Sequence, residues 1–532
     1  MHMKLSKSSR KPALTPKYVS PNQLTICGFE TPFDQLLTRE NRWVKLCALI
    51  PWDKIVRQYD QQFNASEGRP ALSGRIVIGA VVIKHMLALS DRETILQIQE
   101  NMFMQYFLGY STFTNDAAFS PSLFVAIRER LSLNVLASIN EIIILHCFPK
   151  EEETIVTTDP IDLTDPTDPI APAEVEDVIP ASIEDVPAVV ESTESTPPKV
   201  PNKGKILMDA TVAPQNITFP TDLKLLNASR IKSEEIIDTL YDAGLHGDTK
   251  VRTYRENARK DFLNTARKKR KTHKEIHKAN GSQLRYLKRN LEHISCLLAA
   301  YATHEICIPL KPKQLDYLEV ISEVYRQQQT MYETNTNSIE NRIVNIHQPH
   351  VRPIVRGKEG KKVEFGSKLQ VSLVNGFTFI DKLSWNNFNE GGYLMDSVNK
   401  YKTRFGYYPA EVLADQIYCT RENRRQLKLL DIKLCAKPLG RPSKTALSNH
   451  VSPGERNPIE GKFGQAKVAY GLDNIKAKLK TTSESWIAAI ALVLNLVNMT
   501  RLASSCFLFE IKKLFLCIFG RSKVEFEFMS RP

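Results

Sequence analysis

The stretch that decides how this sequence folds is RNPIEGKFGQAK, residues 456–467. Four of its side chains are spaced by four, three and four residues, so they fall on one face of a helix. They are Arg456, Glu460, Phe463 and Lys467. Proline suits the first turn of a helix, so Pro458 predicts that the helix starts there, just after Arg456. A carboxylate between two cations can hold a metal ion while the cations contact phosphate. The alternative is an exposed helix with ordinary ion pairs.

The length and the charge of the chain limit the classes of protein to which it can belong. A chain of 532 residues predicts more than one domain. The formal net charge is +13, yet residues 151–200 carry 14 acidic side chains and one lysine. The rest of the chain therefore carries +26. Such a surplus favours a polyanionic partner, with nucleic acid ahead of an anionic membrane.

The cysteines and apolar segments exclude several other classes. The nine cysteines are scattered and include no C-x-x-C pair, which argues against a zinc site or a disulfide framework and favours a reducing cytoplasm. The basic, polar start does not look like a secretory signal. The apolar run at 486–497 is predicted to be too short to span a bilayer and to form a buried helix. No membrane partner is expected.

Composition divides the chain into five predicted parts. Prolines and acidic repeats predict that the segment at 151–202 is a disordered linker. The predicted parts are a basic flexible arm (1–32), a helical N-terminal domain (33–150), the acidic linker (151–202), a larger domain (203–503) and a C-terminal tail (504–532).

The N-terminal domain carries a helix-start signal at Ser90-Asp91-Arg92-Glu93, which matches the pattern of a capping box. A second helix is predicted to open near Pro121. Two helices joined by a polar turn resemble a helix-turn-helix, which would place Arg92 in a major groove of DNA. The alternative is an all-helical scaffold or dimerisation domain.

A basic helical insertion is predicted at 222–350. Residues 250–290 hold 15 Lys or Arg against three acids. This excess favours contacts with DNA phosphates, although a solvated helix face is the alternative. The densest run consists of Arg267, Lys268, Lys269, Arg270 and Lys271.

Lone acids accompany two predicted strands. Asp209 lies in a strand at 204–212, and Asp415 follows a strand at 410–414. With Glu460 they could supply carboxylates from separate elements to a two-metal site. Asp381, after a hairpin predicted from Asn-Gly at 375–376, is a rival ligand.

These segments resemble the signature segments of bacterial insertion-sequence transposases with a DDE triad. The matching segments are Met208-Asp209-Ala210-Thr211 with Pro220-Thr221-Asp222-Leu223, Ala414-Asp415-Gln416-Ile417-Tyr418, and Arg456-x3-Glu460-x6-Lys467. The helical N-terminal region is similar to the family's N-terminal domain.

The resemblance implies that 203–503 is a catalytic domain with an α/β fold, in which an RNase H-like mixed sheet has flanking helices and an inserted helical segment. It implies that Asp209, Asp415 and Glu460 hold two Mg²⁺ ions, or Mn²⁺, and that Arg456 and Lys467 contact the DNA backbone. The implied partners are double-stranded terminal repeats and target DNA, bound by a homodimer or higher oligomer. The expected location is the bacterial cytoplasm, at the nucleoid when DNA is bound. Two alternatives stay open: a transposase-derived DNA-binding protein that does not cut, and an RNase H-like nuclease.

Overall fold

The computed structural model describes five ranges of the chain: 37–63, 71–147, 201–355, 363–436 and 453–519. The predicted arm at 1–32, nearly all of the predicted linker at 151–202 and residues 520–532 of the tail lie outside these ranges.

The first two described ranges are helical. The helices are α1 (Arg42–Leu49), α2 (Trp52–Asp60), α3 (Gly74–Met86), α4 (Asp91–Glu100), α5 (Met102–Leu108), α6 (Leu123–Arg130) and α7 (Leu133–Cys147). The predicted start of α4 is confirmed, because the Ser90 hydroxyl accepts a hydrogen bond from the Glu93 N–H at 3.1 Å. The Glu93 carboxylate accepts from Gln97 of the next turn and not from the Ser90 N–H, so only one half of the predicted capping box forms.

The part of the chain that follows residue 201 contains one mixed sheet. Its strands are β1 (Lys205–Pro214), β2 (Arg352–Val355), β3 (Val363–Val374), β4 (Phe377–Ser384), β5 (Glu411–Leu413) and β6 (Lys433–Cys435). The strand order is β2-β3-β1-β5-β6, with β4 also paired to β3. The β1–β3, β2–β3 and β3–β4 pairs are antiparallel, whereas β1–β5 and β5–β6 are parallel. The predicted α/β class is therefore confirmed.

The predicted hairpin forms at Asn375-Gly376, between β3 and β4. Both turn residues have positive φ, 50° for Asn375 and 81° for Gly376. Two consecutive positive φ angles match the twist of the flanking strands, and Asn-Gly reaches them at little cost.

The chain between β1 and β2 is mostly helical. It contains α8 (Asp222–Leu240), α9 (Ala243–His246), α10 (Arg255–Ala266), α11 (His273–Thr303) and α12 (Pro312–Glu333). These helices have an apolar core of their own, in which Leu284 and Leu287 of α11 meet Ile236 and Ile237 of α8.

The remaining helices are α13 (Leu394–Phe405), α14 (Arg421–Leu429), α15 (Pro453–Tyr470) and α16 (Lys480–Phe519). The prediction for the start of α15 was wrong, because the helix begins at Pro453 and Pro458 lies inside it. Arg456 is therefore a helical residue.

The length argument for the apolar run was also wrong, because that run belongs to the much longer α16. Within the described ranges, Lys480–Ala503 is long and apolar enough to cross a membrane. However, 67% of its most apolar window is buried inside the protein. The expected buried helix is thus confirmed.

Helix α16 packs on both halves of the chain. It contacts α7, α3 and α6 of the N-terminal helices as well as β4 and α15. One continuous apolar core holds Trp43 and Phe107 together with Phe377 of β4 and Leu492 of α16. The N-terminal helices are therefore packed directly against the layer that covers the sheet.

Candidate active site

The register between β1 and β5 places Asp209 beside Asp415. The parallel pairing reaches Leu207 opposite Leu413, and each aspartate lies two residues beyond that pair. Asp209 is not at the end of its strand, because β1 continues against β3 as far as Pro214.

Local hydrogen bonds orient both carboxylates. Oδ1 of Asp209 accepts from the Ala210 N–H at 2.8 Å, and Oδ1 of Asp415 accepts from the Gln416 N–H at 2.7 Å. Asp415 thereby caps the 3-10 turn Gln416–Tyr418. The Asp209 side chain is 20% exposed and that of Asp415 is 56% exposed, so the pair lies at the edge of solvent.

One guanidinium lies between the two aspartates. Arg456 of α15 places Nη2 3.6 Å from Oδ2 of Asp209 and Nη1 3.3 Å from Oδ1 of Asp415. The structure therefore brings together three residues that are far apart in sequence, one from each of the three predicted signature segments.

The surroundings of Asp209 disfavour its charged form. Burial raises the pKa of Asp209, and the negative charges of Glu390 and Asp415 raise it further. The Ala210 N–H and the Arg456 guanidinium act in the opposite direction. Negative charge is thus concentrated around Asp209, and one arginine offsets part of it.

Glu460 lies one helical turn after Arg456 and is exposed. Across the described ranges, no three His, Cys, Asp or Glu side chains lie close enough to hold a metal ion. Metal binding by Asp209, Asp415 and Glu460 together therefore stays a prediction.

Glu390 was not predicted to lie at this site. It lies in a 3-10 turn at Glu390–Tyr393, and its Oε1 is 2.8 Å from Nζ of the largely buried Lys368. The turn packs against the one that follows Asp415, and a Cβ at Gly391 would lie only 2.6 Å from the Ile417 carbonyl oxygen. The glycine is the one sequence signal for this close approach.

Tyr418 and Gln370 lie beneath the same site. The Tyr418 hydroxyl donates to Oε1 of Gln370 at 3.0 Å, in the interior of the protein. Burial, with the nearby charge of Glu390, raises the pKa of Tyr418 well above its usual range. Tyr418 is therefore a neutral hydrogen-bond donor that joins the Asp415 turn to β3.

The predicted rival ligand Asp381 has a different environment. It is buried, and its Oδ1 accepts from Nη1 of Arg404 at 3.0 Å. Nε of Arg404 also donates to Oε1 of Glu141 on α7 at 2.7 Å. Asp381 therefore belongs to an ion-pair network that joins the sheet to the N-terminal helices.

The other predicted DNA-binding residues are spread over the surface. Arg92 is exposed on α4, and Lys467 is half-buried on α15. The run from Arg267 to Lys271 was predicted to be helical, but it forms the connection between α10 and α11. Lys268 in this connection pairs with Glu275, which caps α11. The polar N-cap at Thr272 explains the break, since it ends the connection and starts a new helix.

Two family models match the chain. A model described as Transposase DDE domain matches residues 412–497, and one described as Transposase domain (DUF772) matches residues 31–130. The first match includes Asp415, Arg456 and Glu460 but not Asp209.

One curated relative is the uncharacterized protein ORF8 in the nfe locus of Rhizobium meliloti. It is 24% identical over 197 residues, which make up 37% of this chain and 73% of that protein. No solved structure matches the chain significantly.

Proposed function

We propose that this chain, a member of the insertion-sequence DDE transposases by the matches in both of its halves, is an active DNA transposase. It binds the ends of an insertion sequence, cleaves phosphodiester bonds there and transfers the 3′-OH ends into target DNA. The catalytic half is an RNase H-like domain in this proposal. Support comes from a sheet in which antiparallel strands continue into two parallel ones.

The observation that carries the proposal is the convergence of Asp209, Asp415 and Arg456. Paired carboxylates beside an arginine at the edge of solvent suit a phosphodiester substrate, because the cation can hold a phosphate next to the acids. Glu460, one turn further along α15, is the proposed third acid.

The donor chemistry suits Mg²⁺ or Mn²⁺, since both prefer carboxylate oxygens. The present arrangement does not suit them, because Arg456 lies between two of the carboxylates and no group of three is assembled in the described ranges. When bound, two such ions would supply Lewis acidity and an activated oxygen nucleophile. The protein's own contribution is to position the acids and the phosphate.

Binding of DNA is proposed to use several basic surfaces. Arg456 and Lys467 contact the backbone at the reacting end, and the connection from Arg267 to Lys271 contacts phosphates further away. Arg92 of α4 is a further proposed DNA contact. The proposed assembly is a homodimer or higher oligomer on DNA, in the bacterial cytoplasm and at the nucleoid.

The test is cleavage of a labelled duplex that carries both ends of the DNA element encoding this protein, with Mg²⁺ or with EDTA. Wild type is expected to nick at the element's end with Mg²⁺ only. Asp209→Asn, Asp415→Asn and Glu460→Gln should each abolish nicking while DNA binding is retained. Nicking that survives one of these changes would remove that residue from the proposed triad.

The same experiment separates two alternative functions. Tight binding of the ends without nicking by wild type would indicate a transposase-derived DNA-binding protein. Nicking that does not depend on the element's ends would indicate an RNase H-like nuclease.

A further inference from the structure

The guanidinium of Arg456 is only loosely held between its two aspartates. Its distances of 3.6 Å to Asp209 and 3.3 Å to Asp415 are longer than a typical N–H···O hydrogen bond of about 2.9 Å. A bidentate arginine–carboxylate pair is shorter and uses both oxygens of one partner. Arg456 instead divides its charge between two carboxylates.

A second observation concerns the inner nitrogen of the same side chain. Nε of Arg456 is buried and has no hydrogen-bond partner among the described residues. A buried donor without an acceptor is costly, so this side chain gains if an external acceptor is offered. A phosphate offers several charged oxygens in the geometry that guanidinium prefers.

The third observation is the absence of an assembled metal-binding group in the part of the chain that the structure describes. The two aspartates are adjacent, but the positive charge between them comes from the protein itself. A divalent ion placed between the same oxygens would be repelled by the guanidinium.

We propose that Arg456 is the counter-cation of Asp209 and Asp415 in the DNA-free protein, and that a DNA phosphate draws it away before these carboxylates bind divalent metal ions. This inference rests on the proposed function and adds regulation to it. Arg456 is thus a positioning residue that links uptake of metal to binding of DNA. By thermodynamic linkage, metal ions must strengthen DNA binding by the same factor by which DNA strengthens metal binding.

The test measures Mn²⁺ binding by the full-length protein without DNA, from the electron paramagnetic resonance signal of free Mn²⁺. Arg456→Gln is expected to raise Mn²⁺ affinity about tenfold or more, within the usual range of coupling between two sites. The double variant Arg456→Gln with Asp209→Asn should lose this gain, which assigns the new binding to the aspartates.

A matched control tests whether the position of the removed positive charge matters, or only the loss of one positive charge. Arg424→Gln removes a positive charge that acts on Cys419, four residues after Asp415, but that does not bridge the aspartates. Its Mn²⁺ affinity should stay close to that of wild type. An equal rise in Arg424→Gln and Arg456→Gln would overturn the inference.

A second measurement adds DNA to wild type and to Arg456→Gln. A short duplex should raise the Mn²⁺ affinity of wild type, after subtraction of Mn²⁺ bound by DNA alone, and should raise that of Arg456→Gln less. Equal effects of DNA on both proteins would contradict the inference. If these Mn²⁺-binding results appear but wild type does not cleave DNA, the proposed function fails alone. If cleavage is normal but Arg456→Gln binds Mn²⁺ no more tightly than wild type, this inference fails alone.

Discussion

Asn140 of α7 and Asn495 of α16 share a buried hydrogen bond of 2.8 Å across 355 residues of sequence. Asn495 also donates to the carbonyl oxygen of Thr378 at 2.7 Å and accepts from its N–H at 2.7 Å. The amide thus joins the N-terminal helices, the last helix and strand β4 at one point. Such a network is stabilising only when every member is satisfied.

We predict that Asn495→Ala lowers the free energy of unfolding by about 2–3 kcal/mol, because the buried Thr378 N–H loses its acceptor and Oδ1 of Asn140 loses the donor that Asn495 supplies. Urea unfolding of the full chain measures the loss. Asn474→Ala, at an exposed position, is the control and should stay within about 0.5 kcal/mol of wild type. Equal free energies of unfolding for Asn495→Ala and Asn474→Ala would mean that the hydrogen-bond network contributes nothing to stability.

The second prediction concerns Asp91, which lies between two buried cations. Its Oδ1 is 2.9 Å from both Nζ of Lys84 and Nη1 of Arg128. The Lys84 ammonium also lies 4.7 Å from the ring centroid of Trp486 on α16. Removing the carboxylate leaves two buried charges unpaired, so Asp91→Asn should cost about 2–3 kcal/mol of stability. This is below the value for full burial, because the Asp91 side chain is 30% exposed.

The neighbouring Arg92 provides the matched comparison. Arg92 is exposed, so Arg92→Ala should leave the urea midpoint almost unchanged. It should weaken DNA binding if α4 contacts DNA as proposed. A lower urea midpoint for Arg92→Ala would contradict the expected neutral effect on stability. Equal DNA affinity of Arg92→Ala and wild type would contradict the proposed contact between α4 and DNA.

The third prediction concerns the exposed side chains Lys269, Arg270 and Lys271 between α10 and α11. Each phosphate contact adds about 0.9 to the slope of log affinity against log salt concentration. Replacing all three by alanine should therefore reduce that slope by up to about 3 and weaken binding to every DNA sequence. Fluorescence anisotropy at several salt concentrations measures the slope. A variant that exchanges Lys and Arg at these positions keeps the charge and should keep the slope; an unchanged slope in the alanine variant would indicate a solvated surface.

The fourth prediction is a loss of stability on mild acidification. Burial holds the pKa of His85 well below its usual range, and the adjacent charges of Lys84 and Arg128 act in the same direction against the opposing charge of Asp91. Burial likewise lowers the pKa of His350 to about 4, with smaller contributions from Arg352 and Lys480. The unfolded chain takes up these protons near pH 6.5, but the folded chain does not. Stability from these groups is therefore complete above pH 6.5 and declines as the pH falls toward 4.

The urea midpoint should fall between pH 7 and pH 5, and His85→Phe or His350→Gln should each flatten that dependence. His273→Gln, at an exposed position, is the control and should leave the slope as in wild type. A urea midpoint of wild type that rises on acidification would contradict this prediction. Asp209, with its raised pKa, contributes in that opposite direction.

Much of the sheet could be predicted because its signals are local. Asn375 and Gly376 specify a turn by their backbone preferences alone, and alternating apolar residues mark the strands around them. The adjacency of Asp209 and Asp415 also follows once their strands are taken as parallel neighbours, since equal offsets from a paired residue put side chains at the same level.

The remaining features depend on tertiary contacts that no local pattern encodes. Pro458 is a helix-start signal in isolation, but α15 begins at Pro453 and carries the second proline inside it. Glu390 lies next to the site because its turn packs against the turn after Asp415, and this contact joins segments with no common periodicity. The position of Arg456 between the aspartates likewise follows from how α15 lies across the sheet.

The last prediction concerns two glycines in α15, beside Glu460. A Cβ added at Gly461 or Gly464 would meet nothing within 4 Å, and both residues are exposed. Glycine in a helix interior costs about 0.5–1 kcal/mol relative to alanine, so Gly461→Ala and Gly464→Ala should each raise the free energy of unfolding by about that amount.

If DNA packs against this face of α15 as the proposed function requires, Gly464→Leu should lower cleavage at the element's end at least about tenfold. A misplacement of the reacting groups by about 1 Å is enough for a loss of this size. Ala302→Leu, at an exposed position of α11, controls for the added bulk and should cleave like wild type. Full cleavage by Gly464→Leu would show that this face of α15 does not contact the DNA, and destabilised alanine variants would show that the glycines are needed by the helix itself.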